Sequence, residues 1–463
     1  MNMLSNNFSS LPLTKSMLHN LNELGMVKMT PVQAESLPHI IDGKDLIAQA
    51  KTGSGKTAAF GIALIHRLNT KLFDIQSLII CPTRELADQV AKEIRRLARL
   101  TNNIKVLTLS GGVPFRPQQE SLRHGAHIVV GTPGRILKHL DKGGLNLQHI
   151  STLVLDEADR MLDMGFIDEI SKLIAATPTQ RQTLLFSATY PNEIIELSSS
   201  IQKNAVSVKS ISSEPANKID QYFYELSTED KFAALIKILS HHKPMSAIIF
   251  SNTKVECKKV AENLTKRGVN ALALHGDLEQ YQRTDVLVQF ANKSCPILVA
   301  TDVAARGIDI EELGMVINYD LPHDEESYIH RIGRTGRAGK EGVAATIFTV
   351  YEARKAEVYD TPERNFKKID ELDGSDTSPL NTLSATNKTL VIEAGKKSKM
   401  RPGDILGALT GDGGVTGKDV GKIEIHDRQS FVAIENSQFE NALRQLKRHG
   451  IKGRKFKVWI LSE

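Results

Sequence analysis

The sequence predicts an α/β protein in which two tandem parallel-sheet domains precede a small βαββαβ domain. Short aliphatic runs alternate with amphipathic helical patterns from about residue 45, and a second series of this kind starts near Ile219. Repeated strand-to-helix units are typical of parallel sheets covered by helices on both faces. From residue 385 onward the pattern changes to strand, helix, strand, strand, helix and strand. Three domains are therefore expected.

Two stretches rich in Ser, Pro, Asn or Asp interrupt these patterns and are typical of linkers. A chain of 463 residues is also long enough for about three domains. The predicted boundaries are a first domain at residues 1–209, a linker at 210–218, a second domain at 219–368, a linker at 369–384 and a third domain at 385–463.

Cysteine usage and hydropathy exclude several classes of protein. Cys81, Cys257 and Cys295 are far apart and form no CxxC pair, which argues against a disulfide framework and against a zinc site. The N-terminus lacks a basic start followed by an apolar core, and no apolar run approaches the ~20 residues that span a bilayer. A cytoplasmic protein without a membrane partner is expected.

Basic charge is concentrated in the third predicted domain. Residues 385–463 carry 15 Lys and Arg against 9 Asp and Glu, whereas the rest of the chain carries 44 against 45. A near-neutral body with a basic C-terminal piece indicates a nucleic-acid-binding module, although a solvated basic surface is the alternative. The βαββαβ order is also that of the RNA-recognition module.

The segment AKTGSGKT at residues 50–57 lies between a strand and a helix, which is the context of a phosphate-binding P-loop. Lys56 is expected to reach the β- and γ-phosphates of a nucleoside triphosphate such as ATP, and Thr57 to offer a hydroxyl to Mg²⁺. Ala50 replaces the usual first glycine, and a flexible turn is the alternative interpretation. Three backbone amides are expected to cradle phosphate, those of Gly53, Ser54 and Gly55.

Two carboxylates in the run TLVLDEAD stand at the carboxyl end of a buried strand, where α/β sheets expose their ligand crevice. Asp156 is expected to hold Mg²⁺, and Glu157 to orient or deprotonate the attacking water. A solvated acidic loop is the alternative, which the upstream P-loop disfavours. The pair therefore predicts hydrolysis of the bound triphosphate.

The run HRIGRTGR at residues 330–337 places Arg334 and Arg337 three positions apart, so both can point the same way. Guanidinium groups suit the charge that develops on a transferring γ-phosphate, and such a group can come from another domain of the same chain. A basic surface helix or a general RNA patch is the alternative.

These motifs together resemble the DEAD-box ATP-dependent RNA helicases, named for the tetrapeptide that stands here at residues 156–159. The resemblance extends from Phe8 to about Val350, implies two RecA-like domains, and includes alanine at the position of Ala50. Further family motifs follow in order: PTRELA at 82–87, Gly111 and Gly112, TPGR at 132–135, SAT at 187–189 and VATDVAARGID at 299–309.

The resemblance also implies residue roles. Adenine and ribose contacts are expected from Phe8, Thr30, Gln33 and Asp309. Coupling between hydrolysis and domain closure is expected from Asp159, Ser187, Thr189 and His330. Contacts with the RNA sugar-phosphate backbone, which carry no base sequence, are expected from Arg84, Gly112, Thr132, Arg135, Arg283 and Thr301.

The implied activity is RNA-stimulated ATP hydrolysis with local strand separation. An RNA clamp or assembly scaffold that closes without useful unwinding would need the same motifs and stays open as the alternative. An RNA-binding adaptor without hydrolysis is disfavoured by four intact residues: Lys56, Glu157, Arg334 and Arg337.

The C-terminal segment GKKSKMRPGDILGALTG at 395–411 resembles the specificity domain of a family member that acts on a 23S rRNA hairpin in large-subunit assembly. Gln429 stands where such modules carry their first stacking aromatic, which argues against stacking on the sheet. Trp459 is expected in the core. RNA contacts are expected instead from basic residues: Lys396, Lys397, Lys399, Arg401, Arg428, Lys452, Arg454 and Lys455.

Overall fold

The computed structural model describes residues 6–50, 53–209, 219–227, 230–305, 313–336, 341–372, 380 and 383–461. The chain divides into two compact units, Met1–Ala216 and Asn217–Glu463. The first holds one parallel sheet, and the second holds another parallel sheet and a small antiparallel one. The predicted fold class is confirmed.

The first unit is built on seven parallel strands. They are β1 (Leu46–Gln49), β2 (Ser77–Ile80), β3 (Val106–Leu109), β4 (Ile128–Gly131), β5 (Thr152–Asp156), β6 (Gln182–Ser187) and β7 (Val206–Lys209). Their order across the sheet is β3-β4-β2-β5-β6-β1-β7. The central strands are buried throughout, as expected of a sheet covered on both faces.

Nine helices belong to the described part of this unit. They are α1 (Lys15–Glu23), α2 (Pro31–Ile41), α3 (Lys56–Arg67), α4 (Arg84–Leu97), α5 (Phe115–Arg123), α6 (Pro133–Asp141), α7 (Ala158–Asp163), α8 (Ile167–Ala175) and α9 (Asn192–Ile201). Two hydrophobic clusters form around the sheet, one around Phe60 and Phe186, the other around Leu153 and Met161. Side chains of alternate positions along β5 enter different clusters.

The second unit begins with another seven-stranded parallel sheet. Its strands are β8 (Ile219–Leu226), β9 (Ala247–Phe250), β10 (Ala271–Leu274), β11 (Ile297–Ala300), β12 (Met315–Asn318), β13 (Gly342–Thr349) and β14 (Arg364–Lys368). Their order is β10-β11-β9-β12-β13-β8-β14. The helices are α10 (Lys231–His242), α11 (Lys254–Lys266), α12 (Gln280–Ala291), α13 (Asp302–Ala305), α14 (Glu325–Ile332) and α15 (Ala353–Ala356).

The C-terminal domain of this unit has the predicted βαββαβ order. Its elements are β15 (Asn387–Ile392), α16 (Pro402–Leu409), β16 (Val420–Ile425), β17 (Ser430–Glu435), α17 (Phe439–His449) and β18 (Val458–Ile460). The four strands pair antiparallel in the order β16-β17-β15-β18. Both helices contribute to one hydrophobic core with one face of this sheet.

The other face of the small sheet packs against α12. Val288 of α12 forms a buried cluster with Val391 and Phe431, and Trp459 packs against it. Asn292 Nδ2 donates to Thr389 Oγ1 at 3.1 Å beside this cluster. The sheet face on which RNA-recognition modules stack bases is therefore covered by the chain's own helix, and Trp459 lies half-buried in that contact.

Three strands were not predicted: β7, β8 and β14. Each lies near an edge of its sheet, and β14 reads RNFKK with mostly exposed side chains. Charged, exposed edge strands such as β14 lack the hydrophobic run that marks central strands, and in β8, which is paired on both sides, polar residues interrupt the apolar ones. None of the three cysteines forms a disulfide, and all three are buried. No helix in the described ranges combines the length and apolarity needed to cross a membrane.

Candidate functional site

The carboxyl ends of the parallel strands in the first unit carry the predicted motifs. Strands β1, β5 and β6 are neighbours and lead into the P-loop, Asp156 and Ser187, whereas the adjacent group β3, β4 and β2 leads into Gly112, Thr132 and Arg84. The strand order thus separates the predicted ATP residues from the predicted RNA residues along one edge of the sheet.

The P-loop ends in glycines with left-handed backbone. Gly53 has φ +84° and Gly55 has φ +93°, and α3 begins immediately after Gly55. A Cβ atom on Gly55 would lie 2.5 Å from Gln33 Nε2. A glycine is required at position 55 because the backbone is left-handed and because a side chain would collide with Gln33. The backbone amides at the start of α3 are suited to binding an anion.

The predicted adenine residues are tied to this loop. Thr30 Oγ1 donates to the Ser54 carbonyl at 2.8 Å, and Gln33 Nε2 donates to the Gly55 carbonyl at 3.1 Å. Gln33 Oε1 also accepts from the Thr30 amide at 2.9 Å. Phe8 lies in the hydrophobic core of the unit. Thr30 and Gln33 therefore hold the phosphate loop in place in addition to any contact with a base.

Lys56 is buried and folds back along the loop, where its Nζ donates to the Ala50 carbonyl at 2.9 Å. The Ala50 amide in turn donates to the Ser187 carbonyl at 3.0 Å, which joins the loop to the end of β6. Thr57 follows in the first turn of α3 and is half-buried. The lysine predicted to bind phosphate is thus at the loop itself.

Asp156 ends β5 and is buried. Burial raises the pKa of its carboxyl to about 6, while Lys56 counteracts this rise and Glu157 adds to it. Its Oδ1 has no hydrogen-bond partner among the described residues. Because buried polar atoms are nearly always satisfied, this carboxylate oxygen fits the coordination of a cation such as Mg²⁺.

Asp159 links α7 to the end of β6. Its Oδ2 accepts from the Ala188 amide at 2.9 Å, the Thr189 amide at 2.8 Å and Thr189 Oγ1 at 3.0 Å. The Asp159 amide donates to Ser187 Oγ at 3.3 Å. The structure therefore brings together three of the four predicted coupling residues, and a carboxylate with several donors is a strong local restraint.

The predicted RNA residues of the first unit also cluster. Thr132 precedes α6, and Arg135 Nη1 donates to the Val113 carbonyl at 3.1 Å. A Cβ on Gly111 would lie 2.8 Å from Arg84 Nη2, which places Arg84 against the glycine pair. Gly112 has φ +72°. Two guanidinium groups beside exposed backbone are suited to phosphate.

In the second unit, Arg283 and Thr301 meet at α13. Arg283 Nη2 donates to the Ala304 carbonyl at 2.6 Å, and the Thr301 carbonyl accepts from the Ala304 amide at 3.0 Å. His330 is half-buried on α14, and Arg334 is buried just after that helix. Two further predictions, Asp309 and Arg337, lie outside the described residues.

The sequence did not predict a role for Arg331, which lies between the predicted site residues His330 and Arg334. Its side chain is fully buried. Its guanidinium donates to Asp302, Asn318 and Asn252 side chains and to the Asp320 carbonyl. The positive charge of the run HRIGRTGR indicates a functional segment. The spacing of its three arginines does not show which of them is buried. Arg331 orders the ends of strands β9, β11 and β12.

The predicted basic residues of the C-terminal domain are all exposed. The amides of Lys396 and Lys397 donate to the His426 and Asp427 carbonyls, which brings them beside Arg428. On the other side, Lys452 pairs with Asp404 at 2.7 Å, and the Arg401 amide donates to Asp404 at 2.9 Å. The basic surface comprises Lys396, Lys397, Lys399, Arg401, Arg428, Lys452, Arg454 and Lys455.

Three families match the chain in the order of its domains. DEAD/DEAH box helicase matches residues 30–197, Helicase conserved C-terminal domain matches residues 230–339, and DbpA RNA binding domain matches residues 389–460. The first contains the P-loop and the carboxylates at the end of β5, and the third contains the basic surface.

Two curated relatives are similar to the chain, one over nearly its full length and one over about seven tenths of it. The chain is 50% identical over 466 residues to the ATP-dependent RNA helicase DbpA of Escherichia coli, an alignment that covers 98% of this chain and 99% of the relative. It is 44% identical over 328 residues to the DEAD-box ATP-dependent RNA helicase CshA of Geobacillus kaustophilus, which covers 71% of this chain and 70% of the relative.

Solved structures resemble the chain as well. S. cerevisiae Dbp5 bound to RNA and ADP BeF3 is 30% identical with a TM-score of 0.70, covering 82% of this chain and 100% of that chain. Mss116p bound to ssRNA and AMP-PNP is 29% identical with a TM-score of 0.71, covering 80% of both chains. Motif, fold and full-length similarity agree that the chain belongs to the DEAD-box ATP-dependent RNA helicases, enzymes that hydrolyse ATP and act on RNA.

Proposed function

We propose that this helicase separates short RNA duplexes locally and is directed by its C-terminal domain to a 23S rRNA hairpin in a precursor of the large ribosomal subunit. The observation that carries the directing role is the basic surface, whose loops are joined by backbone hydrogen bonds and by the pair Lys452–Asp404. The likeness of the chain to DbpA over nearly its full length supports the same interpretation. The proposed location is the cytoplasm.

At the ATP end, we infer that Thr30 and Gln33 recognise adenine and that Lys56 binds the β- and γ-phosphates. Glu157 would accept a proton from the attacking water. Arg334 and Arg337 would stabilise the charge on the transferring phosphoryl group, and Asp309 would contact the ribose. Phosphate binding would require Lys56 to exchange its hydrogen bond to Ala50 for a phosphate oxygen.

Asp156 and Thr57 would hold Mg²⁺, which supplies positive charge against the phosphate oxygens when it is bound. The residues fit this role because Asp156 presents a buried carboxylate oxygen that lacks a partner in the described structure. Lys56 lowers the pKa of that carboxyl against the effect of burial, which favours its ionised form at neutral pH.

The RNA contacts proposed for the helicase core do not select sequence. Arg84, Arg135 and Arg283 would contact phosphate and sugar, with Gly112 and Thr132 offering backbone and hydroxyl groups. Thr301 would act in the second unit in the same way. Preference for one RNA must then come from the C-terminal domain, where α12 covers the sheet face and leaves the basic surface exposed.

ATPase stimulation tests the proposed specificity. Turnover is measured against increasing concentrations of a 23S rRNA hairpin fragment and of a generic RNA of equal length and composition. We expect half-maximal stimulation at a much lower concentration of the hairpin. Equal curves for the two RNAs would contradict the directing role while leaving the ATPase assignment intact.

An ATP-dependent RNA clamp is the second candidate, since both activities use the same motifs. A strand-displacement assay on a short duplex joined to the hairpin separates them. Release of the labelled strand with ATP, and its absence when ATP is omitted, supports local unwinding. ATP-dependent retention of RNA without strand release would identify the clamp.

A further inference from the structure

Arg160 follows the DEAD tetrapeptide and makes a buried ion pair with Glu157. Its Nη1 lies 2.6 Å from Glu157 Oε2, and the two side chains are only 4% and 9% exposed. The roles assigned above to residues 156–159 leave Arg160 without one. A buried guanidinium bonded directly to the proposed catalytic base therefore needs an explanation.

The local backbone aims these two side chains at each other. Glu157 adopts the left-handed conformation, with φ 54° and ψ 54°, and caps the start of α7. Arg160 lies three residues later in the first helical turn, a spacing at which side chains on a helix meet. The Arg160 amide also donates to Asp159 Oδ1 at 2.9 Å. The turn from Glu157 to Arg160 is therefore held by one side-chain bond and one backbone bond.

Stability does not account for a pair of this kind. Removing a charge from water is unfavourable for each of the two ions, and buried pairs often add no net stability over apolar replacements. A non-glycine residue in the left-handed region adds a further cost in backbone strain. Glu157 bears the backbone strain and shares the desolvation cost with Arg160, which points to a gain in the geometry of its carboxylate.

A general base has strict geometric requirements. It must lie within hydrogen-bond reach of the proton that it accepts, and a displacement of about 1 Å at a catalytic group can cost about 100-fold in rate. A glutamate side chain has three rotatable bonds, so an isolated Glu157 would sample several positions. The bond from Arg160 removes this freedom.

We infer that Arg160 is a positioning residue that holds the Glu157 carboxylate in the orientation needed to accept a proton from the attacking water. The inference rests on the proposed role of Glu157 as the base. Arg160 acts through Glu157 and requires no contact of its own with ATP. Its backbone bond to Asp159 does not involve its side chain, so a substitution removes the ion pair with Glu157 and leaves that backbone bond in place.

The test is a set of Arg160 variants in the full chain with saturating RNA. For R160M we expect kcat to fall about 10- to 100-fold, with KM for ATP and the affinity for a non-hydrolysable ATP analogue within about twofold of wild type. R160K keeps the charge and a donor nitrogen but lacks the planar guanidinium group, so its kcat is expected between those of R160M and wild type.

A double variant tests whether the effect passes through Glu157. Two independent losses multiply, whereas losses through one group do not. E157Q should lose most turnover while keeping analogue affinity, and E157Q/R160M should turn over at the same rate as E157Q. A further loss in the double variant that equals the loss in R160M alone would overturn the inference.

Arg181 provides a matched control. It is a half-buried arginine of the same unit, and its Nη1 donates to the Pro178 carbonyl at 2.7 Å just before β6, at the amino end of that strand. R181M makes the same arginine-to-methionine change at the amino end of β6, away from the carboxyl ends of the strands, which carry the motifs. Its kcat should equal that of wild type even if its melting temperature falls.

The outcomes separate the two hypotheses. If E157Q keeps wild-type turnover, the proposed base is wrong; if E157Q is inactive but R160M is not, only the positioning role is wrong. A rise in RNA-independent turnover in R160M would also overturn it, because the contact would then restrain Glu157. Should R160M not fold, R160Q carries the same comparison with R160K.

Discussion

Arg331 donates two hydrogen bonds to the carboxylate of Asp302, from Nε to Oδ1 at 2.7 Å and from Nη2 to Oδ2 at 2.6 Å. The same guanidinium reaches Asn252 at 2.8 Å, Asn318 at 3.3 Å and the Asp320 carbonyl at 2.9 Å. All five donors of an arginine point into one plane, which suits such a set of acceptors. Arg331 therefore joins three strand ends of the second unit.

Replacing Arg331 by methionine should destabilise the second unit. The variant leaves Asp302, the buried Asn318 and two half-buried acceptors without their donor, and breaking a buried ion pair typically costs about 3–5 kcal/mol. Asp302 is partly exposed, so the lower end of that range is expected. Differential scanning calorimetry should show a lower melting transition for one unit, with the other unchanged.

The control for this comparison is K254M. Lys254 pairs with Asp277 at 3.0 Å, but both side chains are about half exposed. Exposed pairs contribute about 0–1 kcal/mol. A shift in K254M as large as that in R331M would show that removal of any ion pair destabilises the unit, and the special role of Arg331 would be wrong.

The limits of sequence-based prediction are visible in individual residues. Hydrophobic runs predicted the central strands because strands buried on both faces consist almost entirely of apolar residues. The motif residues at their carboxyl ends were also predictable, since parallel strands place their ends on one edge. β14 was not, because the run RNFKK is mostly exposed and pairs with β8 from the outside.

Long-range packing accounts for the rest. Arg160 stands three positions after Glu157, a spacing visible in the sequence, but its burial depends on the sheet beneath it. In the sequence, Arg331 cannot be distinguished from the two other arginines of its run. Its role depends on contacts with Asp302 and Asn252 that only the fold provides. The cover that α12 provides for Phe431 joins residues more than 100 positions apart, and no local pattern predicts such a contact.

His139 predicts a pH dependence of stability in the first unit. It stacks on Phe115 with ring centroids 4.0 Å apart. Burial lowers the pKa of its imidazole to about 4, with Arg135 and Lys138 adding to the effect. Between pH 4 and about 6.5 the unfolded chain therefore binds more protons at this site. This contribution to stability is present above about pH 6.5 and is lost as the pH falls toward 4.

His242 in the second unit also has a lowered pKa and would contribute in the same direction. Comparison of wild type with H139Q therefore isolates the contribution of His139. Urea unfolding of wild type and variant at pH 7.5, 6 and 5 gives the difference in unfolding free energy. We expect wild type to lose stability relative to H139Q as the pH falls. A difference that is constant across the three pH values would contradict a neutral, buried His139.

The basic surface predicts a salt dependence of hairpin binding. In the variant K396Q/K397Q/R428Q we expect weaker binding to the 23S hairpin fragment. We also expect the slope of log affinity against log salt concentration to become less steep, by roughly 0.7–0.9 for each phosphate that the variant no longer neutralises. The control K258Q/K259Q/K266Q removes three exposed lysines from α11. Equal reductions in both variants would mean that net charge alone controls binding.

The contact between α12 and the small sheet predicts a fluorescence change, because Trp459 is the single tryptophan of the chain and packs at this contact. V288D places a charge among Val391 and Phe431, where an unpaired ion is strongly disfavoured. We expect the emission of Trp459 to shift to longer wavelength and its quenching by acrylamide to rise. V255D, at an exposed position of α11, should leave both unchanged. An unaltered spectrum in V288D would show that the contact is not formed in solution.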